Sequence, residues 1–91
     1  MPVLETAGAA IWDSLAICEW AAEHDPQLWP SDPVRRGQAR SVTAAMHSGF
    51  TALRRACPMD LCRPVAAIAL DDATGKDIAA IQAIWAAVRQ S

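Results

Sequence analysis

Apolar and polar positions change period several times along the chain, and each change marks an element. Pro2-Val3-Leu4-Glu5 and Ala9-Ala10-Ile11-Trp12 flank Thr6-Ala7-Gly8, a short glycine-containing connection of the kind that closes a hairpin. Two short strands alone are marginal in water, so this hairpin must pair or pack elsewhere. From Asp13 the period becomes helical: Leu15, Ile17, Cys18, Ala21 and Ala22 give a broad apolar face behind an N-cap at Asp13 or Ser14, until His24-Asp25-Pro26 ends the helix. Gln27-Leu28-Trp29-Pro30 reads as a loop with two apolar anchors. Ser31-Asp32-Pro33 then sets a capping side chain just before a proline suited to the first helical position. Beyond it Val42, Met46, Gly49, Phe50, Leu53 and Cys57 recur at three- and four-residue spacing, while Arg36, Arg40, His47 and Arg54 fall largely on other faces. The pattern predicts one long amphipathic helix from about residue 33 to about residue 57, stopped by Pro58. Residues 59–72 hold no clear period, with Pro64 interrupting and Val65-Ala66-Ala67-Ile68-Ala69-Leu70 forming a short apolar run. Thr74-Gly75-Lys76-Asp77 has capping-box spacing, and Ile78, Ile81, Trp85 and Val88 make the stripe of a final helix.

Composition thins the core that this pattern suggests. Of 91 residues 53% are hydrophobic, but twenty are alanine, and Leu, Ile, Val and Phe together number only eighteen. A chain this short leaves roughly 40% of its unfolded surface exposed even when folded, so a homodimer or larger assembly is expected. The formal net charge of −2 supplies no basic stripe for phosphates, which excludes a nucleic-acid binder. No apolar run approaches the roughly 20 residues that span a bilayer, and Met1–Glu5 lacks the features of a secretory signal, so a cytoplasmic location is expected. Cys18, Cys57 and Cys62 are odd in number and lack C-x-x-C spacing, which reads as small packing residues or inert thiols with no metal site. Arg35, Arg36 and Arg40 read as a solvated helix face, and the four tryptophans as core or interface anchors, Trp85 first among them. Without repeats or a low-complexity linker the chain reads as one folded unit, mostly α with a short N-terminal β-hairpin.

The order of particular residues goes further. Pro2-Val3-Leu4-Glu5, a glycine turn, Ile11-Trp12-Asp13-Ser14-Leu15-Ala16-Ile17-Cys18-Glu19-Trp20 and Leu28-Trp29-Pro30-Ser31-Asp32-Pro33 together resemble the middle of a bacterial glutathione S-transferase. In that family a Pro-Val-Leu begins the third strand of a thioredoxin-like domain, an acid-Ser pair opens the next helix, and a Leu-x-Pro-x-Asp-Pro linker leads into an all-helical domain. Ala45-Met46-His47-Ser48-Gly49-Phe50-Thr51-Ala52-Leu53-Arg54 and Pro58-Met59-Asp60-Leu61 look like the first helix of that domain in one bacterial subgroup, and Thr74-x-x-Asp77-Ile78 like the capping box of its core helix. The resemblance makes residues 1–30 a remnant of the thioredoxin-like domain and 31–91 part of the helical domain, with three or four helices after the hairpin.

What the resemblance implies is specific. Asp13 and Ser14 match the acid-Ser pair, in which the helix N-terminus and hydroxyl take the γ-glutamyl carboxylate of glutathione while the acid faces its ammonium. On spacing alone the pair is what any capped helix shows. Met1, before Pro2, matches the residue whose backbone meets the cysteinyl part across a cis X-Pro bond. Met46, His47 and Phe50 match the lining of the electrophile pocket, although by pattern Met46, Gly49 and Phe50 are helix packing and His47 a polar-face residue. Thr74 and Asp77 match a structural capping box. The family's catalytic Tyr, Ser or Cys lies in an earlier β-α unit, and nothing here matches it: the chain has no tyrosine, and Cys18, Ser14 and Cys57 do not fit the motif. The expectation is a glutathione transferase-like chain with no resident cofactor, at most weak glutathione binding and little or no catalysis alone. The alternative is a non-catalytic, self-associating helical interaction module.

Overall fold

A computed structural model describes residues 1–90. The chain is mostly helical, with an N-terminal two-stranded antiparallel hairpin followed by four helices. In order these are β1 (Val3–Thr6), β2 (Ala9–Trp12), α1 (Ser14–His24), a single 3₁₀ turn (Pro26–Leu28), α2 (Pro33–Ser48), α3 (Thr51–Ala56) and α4 (Asp72–Arg89). They fall into two compact units, the first Met1–His47 and the second beginning at Ser48. The resemblance sets its linker at Leu28–Pro33; in the structure α2 stays with the hairpin and α1, for reasons that lie in its polar contacts.

In the first unit the strands pair Val3 with Trp12, Leu4 with Ile11, Glu5 with Ala10 and Thr6 with Ala9. Only Ala7 and Gly8 remain for the loop, at φ 49° and 78°, the doubly left-handed pattern whose twist suits a tight hairpin. Gly8 adopts that conformation freely, whereas Ala7 carries a cost of about 1–2 kcal/mol from its Cβ. The strands pack against α1 with Leu4, Thr6 and Ile11 half-buried. On the opposite face the cross-strand pair Val3 and Trp12 stays open, 56% and 64% exposed. The α1 helix ends where the Asp25 amide donates to the Ala21 carbonyl at 3.0 Å, and the Asp25 carboxylate accepts from the Gln27 amide at 3.1 Å to start the 3₁₀ turn. Asp32 caps α2 as its spacing suggests, accepting from the Arg35 amide at 2.9 Å, with Pro33 in the first helical position.

The single helix expected over 33–57 is interrupted. It stops at Ser48 and resumes at Thr51, with Phe50 in the left-handed region at φ 61°, ψ 40°. The break falls beside Gly49, a residue of weak helix preference, and at the left-handed Phe50; glycine alone is not enough, since Gly37 lies within α2 without interrupting it. The Gly49 carbonyl, lost to the helix ladder, instead accepts from Arg54 Nε at 3.1 Å. Pro58 is not needed to stop α3, which ends at Ala56.

In the second unit α4 starts earlier than expected, and its cap is Asp71. The Asp71 carboxylate accepts from the Thr74 amide at 2.8 Å. Thr74 and Asp77 therefore do not form the expected capping box; they hold the neighbouring helix. Thr74, the one fully buried side chain among the described residues, donates its hydroxyl toward the Ala52 carbonyl at 3.4 Å. Asp77 accepts from the Leu53 amide at 3.0 Å. Leu53 lies in the first turn of α3, where Phe50 offers no side-chain cap, so Asp77 satisfies from another helix an amide that would otherwise lack a partner. At 1.5 Å per residue the six residues of α3 span about 9 Å and the eighteen of α4 about 27 Å, so α3 covers one end of α4 only. Ile81 is buried, but Trp85 on the same stripe is 52% exposed.

Of the two roles expected for the tryptophans, core or interface anchor, a place in the core does not hold for Trp12 and Trp85, which are exposed, while Trp20 and Trp29 are half-buried. The cysteines do not pack either, since Cys18, Cys57 and Cys62 are all free and exposed. Between Ala56 and Asp72 there is no helix or strand, and the apolar run from Val65 to Leu70 lies exposed. No described helix is long and apolar enough to cross a membrane.

Candidate functional site

A polar cluster built by side chains from different elements lies at the start of α1. Asp13 is the N-cap, and its carboxylate accepts from the Leu15 amide at 2.9 Å. An aspartate normally does this from extended backbone. Asp25 and Asp71 do so in this chain, at φ −135° and −78°. Asp13 sits instead at φ 76°, ψ 126°, a conformation that costs a non-glycine residue about 1–3 kcal/mol. Capping alone does not require that backbone.

The second partner of Asp13 is His47. Its Nε2 lies 3.1 Å from the Asp13 carboxylate, and its Nδ1 lies 3.5 Å from the Ser14 hydroxyl. A carboxylate can only accept, so Nε2 carries a proton toward Asp13, and in the neutral ring Nδ1 presents its lone pair to Ser14. His47 stands in the last turn of α2. One helical stretch earlier on α2, Arg40 makes a two-point ion pair with Glu19 of α1, Nε at 3.1 Å and Nη2 at 3.3 Å, and its guanidinium lies 5.4 Å from the Trp29 ring centre. Arg36 donates to the Pro30 and Ser31 carbonyls at 3.3 and 2.9 Å. The arginine face is thus more than a solvated one: it fastens α2 to α1 and to the connection between them, which keeps α2 in the first unit and holds His47 over Asp13 and Ser14.

The residues taken from the sequence sort unevenly. Asp13, Ser14 and His47 come together, although their expected roles placed the first two in a glutathione site and the third in an electrophile pocket. Met46 is half-buried on α2; Phe50, in the second unit, is half-buried in the break between α2 and α3. The expected cis bond at Met1–Pro2 is absent, as every described peptide bond is trans. Met1 is 90% exposed, so no packing opposes the trans preference of about 0.5–1 kcal/mol. Glu19 and Arg40 carry the helix pairing and were not singled out together. Their signal was available: acids at 13 and 19 on one helix match bases at 47 and 40 on the next, the spacing of an antiparallel pair.

Beside Asp13 the surface forms an open depression lined by Ala10, Ile11, Trp12 and Ala16. It is apolar on the hairpin side and meets the polar cluster at Asp13. No group of three or more His, Cys, Asp or Glu side chains among the described residues is arranged to hold a metal ion. No protein-family model matches the chain, and no curated protein matches it either.

Proposed function

We propose that this chain is a glutathione transferase-like protein that binds glutathione weakly through its γ-glutamyl end and has little or no transferase activity by itself. The observation that supports the reading best is the backbone of Asp13. From that strained φ one carboxylate, on the residue next to Ser14 in the chain, meets both the first turn of α1 and His47, where a ligand ammonium and carboxylate would be received side by side. The ligand carboxylate would take the Ser14 hydroxyl and the positive end of α1. The ammonium would take Asp13 in competition with His47. Weakness follows from openness, since Asp13 and His47 side chains are 39% and 34% exposed and Met1 offers no wall for the rest of the tripeptide. Catalysis would need a placed donor to lower the thiol pKa of glutathione. No tyrosine is present to serve, and Cys18 belongs to the exposed surface. A cytoplasmic location, where glutathione is plentiful and free thiols persist, belongs to the same proposal.

Calorimetric titration with glutathione tests it. The expected Kd is on the order of 1 mM, or about −4 kcal/mol. Ser14→Ala is expected to weaken binding about tenfold, the loss of one hydrogen bond to a charged group at an exposed site. Absence of heat from the wild-type chain at millimolar ligand overturns the reading.

The second reading is a non-catalytic module that associates with itself. It is favoured by the open Val3 and Trp12 pair on a two-stranded sheet, whose edges have no further partner strand among the described residues. Light scattering at micromolar concentration separates the two readings, because a monomer that binds glutathione supports only the first.

A further inference from the structure

The geometry at the start of α1 points to a second chemistry, and we infer that Ser14, His47 and Asp13 form a nucleophile, base and carboxylate set able to accept an acyl group from a small activated ester. This goes beyond glutathione binding, since it uses the same three side chains but needs no glutathione.

Three observations carry it. First, the hydrogen-bond order is the one that activates a serine: the Asp13 carboxylate holds Nε2–H of His47 at 3.1 Å, and Nδ1 faces Ser14 Oγ at 3.5 Å. That distance is at the loose end of hydrogen bonding, as resting nucleophile–base pairs often are before substrate tightens them. Second, Asp13 is fixed from two sides, by the Leu15 amide and by its own strained backbone, so it positions the ring and does not follow it. Third, the adjoining depression lined by Ile11, Trp12 and Ala16 ends at Asp13, the residue before Ser14, and offers an apolar seat for an aryl or short acyl group.

The step balances without a further reagent. Ser14 Oγ attacks the ester carbonyl carbon while its proton passes to His47 Nδ1. The tetrahedral adduct collapses, the bond from carbon to the leaving oxygen breaks, and the Nδ1 proton goes to that oxygen to release the alcohol or phenol. An ester on Ser14 remains. Water attacks it by the same route, giving up a proton to Nδ1 that returns to Ser14 Oγ as the carboxylic acid departs. Asp13 stays ionised throughout and acts as a positioning residue. The Leu15 amide, which follows the nucleophile, is occupied by Asp13, so the developing oxyanion relies on the field of the α1 N-terminus alone. A missing oxyanion donor costs about 10²–10³ in rate, which keeps the expected turnover low and makes acylation the step to observe.

The test uses the full chain with its exposed thiols first blocked by iodoacetamide, treated with p-nitrophenyl acetate and separately with a fluorophosphonate, followed by peptide mapping. The expected result is one acetyl or phosphonyl group on Ser14, formed at least tenfold faster than on Ser91 or any other serine. His47→Gln should slow it at least tenfold. Asp13→Asn, which retains an N-capping side chain but allows the wrong ring tautomer, should lower the rate constant for nitrophenol release with KM unchanged. A cap with a merely structural role would move neither quantity. Circular dichroism confirms that each variant keeps its helices, and the wild-type map stands whichever variant fails to fold. An unmodified Ser14, or a Ser14→Ala chain releasing nitrophenol at the wild-type rate, overturns the assignment whether or not glutathione binds.

Discussion

The strain at Asp13 can be weighed by comparing two substitutions at one position. Asp13→Ala removes the carboxylate that holds the Leu15 amide and His47 but leaves a Cβ at φ 76°. The cap is worth about 0.5–2 kcal/mol and the half-exposed pairing with His47 about 0.2–1 kcal/mol, with strain unrelieved, so a loss of about 1–2 kcal/mol is expected. Asp13→Gly loses the same pairing but relieves backbone strain of about 1–3 kcal/mol, and glycine substitutes for a capping residue at a cost of only a few tenths. Its unfolded-state entropy takes back about 0.5–1 kcal/mol. The net for glycine is near zero, and the glycine chain should exceed the alanine chain by about 1–2 kcal/mol. Urea unfolding followed at 222 nm measures both differences from their midpoints. An alanine variant as stable as the glycine variant refutes the strain argument, and with it the reason for preferring a ligand site over an ordinary cap.

Three further outcomes follow from features elsewhere. Ala7→Asn, at φ 49° in a loop that favours asparagine, should stabilise the hairpin by about 0.5–1 kcal/mol, read as a higher thermal midpoint. Asp77→Ala should cost about 1–2 kcal/mol by stranding the Leu53 amide, and Asp77→Asn, which keeps an acceptor, less than half as much in the same urea assay. Hydrogen bonding from Thr74 holds the Asp71 carboxyl below its ordinary 3.8, against the opposing effect of burial and with a smaller contribution from the Arg55 charge. A carboxyl with a lowered folded pKa stabilises fully above its unfolded value and loses that contribution as pH falls through the folded one. The helicity of α4 should therefore decline below about pH 3.8 in an acid titration by circular dichroism, and Asp71→Asn should flatten that decline.

Local chemistry was legible in the sequence wherever one short segment decides it. The hairpin followed from the glycine-containing connection Thr6-Ala7-Gly8, of which Thr6 proves to be the last residue of β1, the α2 cap from Ser31-Asp32-Pro33, and the last stripe from Ile78 and its successors. What escaped was set by partners distant along the chain. Thr74 and Asp77 have the spacing of a cap, and only the approach of α3 turns them from their own helix to Ala52 and Leu53. Asp71 takes the cap in place of Thr74: it is itself a favoured capping residue three positions before a residue with a hydrogen-bonding side chain, a competition the pattern alone leaves undecided. The break at Gly49 and Phe50 lay inside an unbroken apolar period, and Gly37, which α2 accommodates, shows that a glycine in the pattern does not by itself mark such a break. At the candidate site each residue was visible singly, but the join of His47 to Asp13 and Ser14 depends on the register fixed by Glu19 and Arg40.

The unequal lengths of α3 and α4 make the last helix a cantilever. It is clamped near its start by Thr74, Asp77 and Ile81, and its far turns past Trp85 carry little covering mass within their unit. Amide hydrogen exchange should consequently be graded along α4. Protection should be greatest in the turns around Ile78 and Ile81 and fall steadily toward Arg89, because the distal turns can unwind without opening the clamp.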